Sequence, residues 1–206
     1  MRLVLSEFIS LDGVIQAPGQ RQEDTDGGFQ HGGWSMRYFD VDSMGSAIDE
    51  ALQKTDAFIF GRRTWQVSAA AWPQRAGDDP FADRLNAITK YVASRTLSQE
   101  DLAQWNNSHL LPPDDALGAI AELKAREGGD IQCYGSANLA AQLIANDLVD
   151  EYSLMIEPVI LGGGKRLFPD DGVLRGLELV STTTSSTGVQ ICKYGVPRPR
   201  ESDRIQ

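Results

Sequence analysis

Three short stretches join glycine or serine to arginine or a further hydroxyl directly after runs that read as strands. They are Gly61-Arg62-Arg63-Thr64-Trp65, Ser94-Arg95-Thr96 and Gly135-Ser136-Ala137-Asn138-Leu139. A small residue lets backbone amides approach a ligand closely, and guanidinium groups are planar, permanently charged and able to grip phosphate through two hydrogen bonds. Such a set suits a dinucleotide carrying several phosphates. Arginine at a helix start opposes the helix dipole unless an anion is present. Taken one at a time, each stretch also reads as an ordinary turn.

Two carboxylates are placed to hold or move a proton. Asp12 follows the first strand and precedes Gly13, as a turn residue or as a polar anchor near a substrate. Glu157 stands in an apolar strand before Pro158, as a solvated edge carboxylate or, if buried, as an acid whose raised pKa suits proton donation. Gly162-Gly163-Gly164 is a flexible turn or a backbone surface against a ligand. The two histidines, His31 and His109, lie 78 positions apart with no acidic ligand motif around either, which gives no pattern for a metal centre or a histidine-based triad. Asp24, Asp26 and Gly27 lack the further ligands of a calcium loop. The tryptophans read as core or loop anchors, with Trp34, in its glycine-rich setting, also able to wall a flat aromatic substrate.

The elements that must position these residues follow a regular order. Residues 2–10 form a strand-like run closed by Asp12-Gly13; residues 17–33 are polar and hold five glycines, a loop long enough to be functional. Apolar residues at three and four residue spacing predict a helix over 40–54, with Asp40 or Asp42 as its cap. Strands are expected at 56–60, 90–93, 109–111 and 131–134, and helices after Gly61, over 114–126 and over 136–146. Alternation of this kind implies right-handed crossovers and a largely parallel sheet. The strands at 151–161, 177–184 and 189–196 break the habit, and the last two should pair as an antiparallel hairpin across Ser185-Ser186-Thr187-Gly188. The expectation is one domain over residues 1–196 and a polar tail over 197–206.

The chain has 206 residues with 41% hydrophobic composition, enough for one sizeable core. Its 19 Lys and Arg against 29 Asp and Glu leave a formal charge of -10, which argues against nucleic-acid binding but not against a small positive pocket. Cys133 and Cys192 are too few and too distant for a disulfide framework. No run approaches the roughly 20 apolar residues of a membrane helix, and Glu7 interrupts the first apolar stretch before it could serve as a signal peptide. A soluble protein of the cytoplasm is expected, with neither nucleic acid nor membrane as partner.

In combination, the Gly61-Arg62-Arg63-Thr64-Trp65, Ser94-Arg95 and Gly135 junctions resemble the dihydrofolate reductase superfamily. Four further segments are similar to bacterial proteins related to the reductase domain of the bifunctional riboflavin biosynthesis deaminase/reductase. These are Ser10-Leu11-Asp12-Gly13-Val14-Ile15, His31-Gly32-Gly33-Trp34, Gly135-Ser136-Ala137 and the run from Pro158 to Phe168. The resemblance spans residues 1 to about 196. It implies an α/β, dihydrofolate-reductase-like fold of three layers that binds NADPH.

Carried over residue by residue, it assigns Gly61, Arg62, Arg63 and Thr64 to the cofactor phosphates. Ser94, Arg95 and Thr96 go to the adenosine end and its 2'-phosphate; Gly135, Ser136, Ala137, Asn138 and Leu139 to the pyrophosphate; and Val14 and Ile15 to the cover of the nicotinamide. Gly163 and Gly164 join the cofactor surface, Asp12 and Glu157 are the candidate proton donors, and Trp34 and Asp42 are assigned to the substrate. A homodimer through the carboxyl-terminal strands is also implied. Where classical folate reductases carry an acid early in the first helix, this chain reads Asp40-Val41-Asp42-Ser43-Met44-Gly45-Ser46, with no residue unambiguously equivalent. The deaminase motifs of the riboflavin enzyme are absent. The expected function is NADPH-dependent reduction of a small heterocyclic or carbonyl compound; the alternative is a protein of the same fold that binds the cofactor without turning over a substrate.

Overall fold

The computed structural model describes residues 1–197, so of the expected tail only Pro197 falls within the described residues. In chain order the regular elements are β1 (Arg2–Ser10), α1 (Ser46–Gln53), β2 (Thr55–Gly61), α2 (Arg62–Ala71), α3 (Pro80–Ala87), β3 (Thr89–Ala93), β4 (Ser108–Leu110), α4 (Ala116–Lys124), β5 (Asp130–Cys133), α5 (Ala137–Ala145), β6 (Glu151–Glu157), β7 (Glu178–Thr184) and β8 (Gln190–Gly195). The strands form one sheet in the order β4-β3-β2-β5-β1-β6-β8-β7. Pairings from β4 through β6 are parallel, and β8 pairs antiparallel with both β6 and β7. The expected mostly parallel α/β sheet with an antiparallel carboxyl-terminal hairpin is therefore the architecture found.

Alternation along β2 shows how the layers arise. Ala57 and Ile59 join a core with Leu3 and Leu5 of β1, Ile120 of α4 and Leu143 of α5; Phe58 and Phe60 point the other way, into a core with Leu52 of α1, Trp65 of α2 and Leu85 of α3. A strand buried on both faces needs apolar residues at every position, which is why residues 57 to 60 read as an unbroken apolar run. A smaller cluster of Met44, Met155, Val189 and Ile191 seats the hairpin.

Several boundaries differ from the sequence expectation. The helix expected from Asp40 begins as a π-type turn over Val41–Gly45, because Asp40 accepts hydrogen bonds from the amides of Asp42 and Ser43, and α-helix follows only from Ser46. Strand β6 stops at Glu157 rather than residue 161: Pro158 lacks an amide for the ladder, and the chain turns back so that Leu11 N–H donates to the Val159 carbonyl at 2.9 Å. Helix α3 was not anticipated, although Asp79 caps the Phe81 amide at 2.9 Å and Pro80 occupies its first position. Among the described residues, no helix is long and apolar enough to cross a membrane.

Candidate active site

In an open parallel sheet, a crevice forms where neighbouring strands send their connections to opposite faces. Strands β5 and β1 meet this condition. The chain leaves β1 towards α1 on one face and leaves β5 into α5 on the other. Their pairing ends at Leu5↔Cys133, whereas β1 continues beside β6 to Ser10↔Glu157. Beyond Leu5, the edge of β1 that β5 had covered is open.

Two strand-to-helix junctions border this opening. Gly61 and Gly135 are in contact, with the Gly61 amide 3.4 Å from the Gly135 carbonyl, and a Cβ at position 61 would stand 2.2 Å from Ser136 Oγ. Only glycine allows this approach. Gly135 has φ +65° and is joined to Ser136 by a cis peptide. Neither α2 nor α5 has a side-chain cap on its first turn, so unpaired amides of both helices face the same place. Gly61, Arg62, Thr64, Gly135, Ser136 and Ala137 are thus brought together in an arrangement suited to a pyrophosphate. The Asn138 side chain is exposed and accepts from Gln142 at 2.7 Å, whereas the Leu139 side chain packs in the core, which leaves Leu139 its backbone for any such role.

The second stretch lies next to the first. Arg62 donates to Thr96 Oγ1 at 3.2 Å, Ser94 Oγ accepts from the Thr96 and Leu97 amides at 3.1 and 3.0 Å, and Arg95 is exposed. Arg63 has a different neighbourhood. Its guanidinium pairs with Asp24 and, at 2.7 Å, with Asp26, while Lys165 reaches the same two carboxylates at 2.6 and 2.8 Å. These four charges pin the long loop after β1 to the start of α2.

Beneath that loop lies a cavity of about 690 Å³. Its floor includes Ser6, Glu7, Thr64 and the Gly135-Ser136-Ala137 turn; Ile15 and residues 16 to 20 cover it; Ile48, Leu52, Phe58, Phe60, Trp72 and Phe81 enclose its far end. Glu7 accepts the Gly135 amide at Oε1, 2.8 Å away. Burial pushes its carboxyl up to about 8, against the lowering effect of that hydrogen bond. Sequence reading missed Glu7 as a site residue. The available signal was an acid sharing a face with Leu3, Leu5 and Ile9 in a strand that should be buried.

The other carboxyls are placed differently from expectation. Glu157 is fully buried, receives the Ser35 hydroxyl at 2.5 Å on Oε1, has no partner for Oε2, and is pushed by burial up to about 7. It does not line the cavity, whose wall at that point is Ser35. Asp12, expected as a candidate proton donor, accepts from Ser10 Oγ at 2.7 Å and from the Leu161 and Gly162 amides at 3.1 and 2.9 Å, which hold its pKa down at about 2 and favour the ionised form. Asp12 instead fastens the glycine turn to the end of β1.

Trp34 and Asp42, the residues expected at the substrate, lie apart from this cavity. Trp34 is buried, with Nε1 donating to the Gln16 carbonyl at 2.8 Å, and anchors the loop; Asp42 is exposed on the π-type turn. Neither lines the cavity. Val14 is buried and bridges to Arg166, leaving Ile15 as the one of that pair at the cavity. Gly163 and Gly164 border a second hollow of about 610 Å³ together with Asp26, Phe29 and His31, on the outer side of the loop. A Cβ at Gly164 would press on Val14 and Phe29 at 2.8 and 2.9 Å, so close packing explains that glycine.

The family model of the RibD C-terminal domain matches residues 2–191. Among curated proteins, the uncharacterised YyaP of Bacillus subtilis (strain 168) is 30% identical over 193 residues, covering 91% of each chain. YwjB of the same organism, also uncharacterised, is 25% identical over 146 residues, 71% of this chain and 77% of its own. Among solved structures, a Shewanella sp. PV-4 protein named for riboflavin biosynthesis matches with a TM-score of 0.72 at 17% identity, over 96% of this chain and 100% of the other. A pyrimidine reductase-like protein from Corynebacterium diphtheriae NCTC matches with a TM-score of 0.63 at 16% identity, over 96% and 92%. At such identities these two establish likeness of fold.

Proposed function

The chain belongs to the RibD C-terminal domain family, and we propose that it is an NADPH-dependent reductase of a small heterocyclic or carbonyl compound. The observation that carries this reading is the contact between two uncapped helix amino termini, at Gly61 and Gly135, directly beside the carboxyl of Glu7. Residues at the crevice fit the cofactor by their chemistry. The first-turn amides of α2 and α5 bind the pyrophosphate, and the exposed Arg62 and Arg95 beside Ser94 and Thr96 bind a 2'-phosphate. When bound, NADPH supplies the hydride.

The protein's own groups supply orientation, shielding and the proton. Ile15 and the pinned loop exclude water from the cavity, which strengthens every polar contact inside it. Glu7 accepts the Gly135 amide at Oε1 and, with its pKa at about 8, carries a proton on Oε2 at neutral pH. That proton is available to the acceptor once negative charge develops there. Glu157 acts through Ser35 and is a positioning residue.

The same reading includes a homodimer formed through β7, whose seven residues are all exposed, and a cytoplasmic life with a small-molecule substrate and neither nucleic acid nor membrane as partner. Incubating the protein with NADPH and a panel of pterins, pyrimidines, flavins and quinones should deplete the near-ultraviolet absorbance of the reduced nicotinamide. Tight NADPH binding with no oxidation across the panel would assign the protein to cofactor sensing instead. Arg95→Ala should weaken NADPH about tenfold while leaving NADH unchanged; equal losses for the two cofactors would remove Arg95 from the 2'-phosphate.

A further inference from the structure

The cavity is polar at the strand ends and apolar between α1 and α2. Helix α1 contributes Ile48 and Leu52 to the lining and no polar side chain. Strand β2 contributes Phe58 and Phe60, whose rings stack with centroids 5.5 Å apart, and Trp72 and Phe81 close the end with centroids also 5.5 Å apart. Hydroxyls buried against these surfaces would lose their water and gain few partners, which disfavours binding. A flat apolar ring meets no such cost.

Three basic side chains line the cavity: Arg63, Arg75 and Lys165. Arg63 and Lys165 are both paired with Asp24 and Asp26. Arg75 has no carboxylate partner among the described residues; its guanidinium rests 5.0 Å above the Trp72 ring at the apolar end. A guanidinium held over an indole at the rim of an apolar cavity is oriented for an anion attached to the ring that fills the cavity.

We propose, on the footing of the reductase reading, that the ligand of this end is a flat apolar ring system bearing one anionic group, which pairs with Arg75, and that a phosphoribosyl group is excluded. A phosphate dianion on a hydroxylated sugar would find a single cation there, with only Ser68 and Tyr134 as hydrogen-bonding side chains among the rings and aliphatic groups.

The test uses the full chain, first titrated with NADPH and then, with NADPH bound, with 2-naphthoate, 2-naphthol and ribose 5-phosphate, followed by tryptophan fluorescence and calorimetry. 2-Naphthoate should bind about tenfold more tightly than 2-naphthol, and Arg75→Gln should erase that preference while leaving 2-naphthol unchanged. Because Arg75 is exposed, the variant should fold as the parent does. The proposal is overturned if ribose 5-phosphate binds more tightly than 2-naphthoate, or if Arg75→Gln leaves the preference intact. Failure of the NADPH titration would count against the reductase reading alone. The naphthoate and naphthol comparison would then be made on the cofactor-free protein, with the same outcomes deciding.

Discussion

The floor of the cavity and its far end are built by different means. The floor is set largely by backbone: Gly135 and the first turns of α2 and α5 form it beside the side chains of Ser6 and Glu7, and its shape depends on the absence of a Cβ at Gly61 just behind it. The far end is side chains, drawn from α1, β2, the end of α2 and α3. Backbone geometry is shared by every member of a fold, whereas a wall of side chains can be rewritten one residue at a time. On the proposed reading, the floor would hold the cofactor and the wall would select the acceptor, and fold alone then leaves the acceptor open.

Substituting the floor should have the largest effect. Gly61→Val would force its Cβ into Ser136 and separate the two junctions, with an expected loss of about 1–3 kcal/mol of stability and about a hundredfold in NADPH affinity. Ile48→Val at the far end should cost no more than about 1.5 kcal/mol and leave NADPH binding unchanged. Denaturant unfolding and cofactor titration of both variants measure the contrast, and similar cofactor losses in the two would abolish the division.

Glu7→Gln comes next, because it sits where floor and ligand meet. Turnover should fall by roughly 10²- to 10⁴-fold, and the decline of the parent rate above pH about 8, where Glu7 loses its proton, should disappear. Stability supplies a second readout with a defined sign. The folded pKa of about 8 lies above the ordinary 4.5, so the native state favours the protonated acid, and the parent should lose stability as pH rises from about 4.5 to about 8. Glu7→Gln should flatten that slope; an unchanged slope would mean that Glu7 is ionised in the fold.

Glu157→Gln should separate a positioning role from a chemical one. With its carboxyl at about 7, the parent loses stability between about pH 4.5 and 7. The amide variant should be about 1–3 kcal/mol more stable at pH 8, by urea midpoint, with kcat within a few-fold of the parent. A collapse of kcat at unchanged KM would instead put Glu157 in the chemistry. The smallest effect belongs to the surface charges: Asp26→Asn should shift the urea midpoint least of all these variants, and the difference should fade at high salt.

The floor was legible in the sequence because it is contiguous. Gly61-Arg62 and Gly135-Ser136 each follow a strand directly, so a local pattern names both the element and the place in the sheet where it must end. The parallel order and the closing hairpin were legible for the same reason. Glu7 escaped notice because alternation counts apolar residues, and an acid on a buried face looks like the end of a run. The partners of Asp12 and Trp34, Leu161 and Gly162 for one and the Gln16 carbonyl for the other, are set by loop packing that no periodicity encodes. The far wall needed side chains from four elements to converge, and only the fold shows that they do.

The place of β1 in the sheet has a consequence in time. Made first, it lies between β5 and β6, so its earliest ladder partner, Asp130, follows Arg2 by 128 residues. At about 5–20 residues per second of synthesis, the strand waits roughly 6–25 s without a neighbour while its Leu3, Val4 and Leu5 are exposed. During that interval the first strand presents an apolar edge, and the charge of Glu7 works against its pairing with another copy.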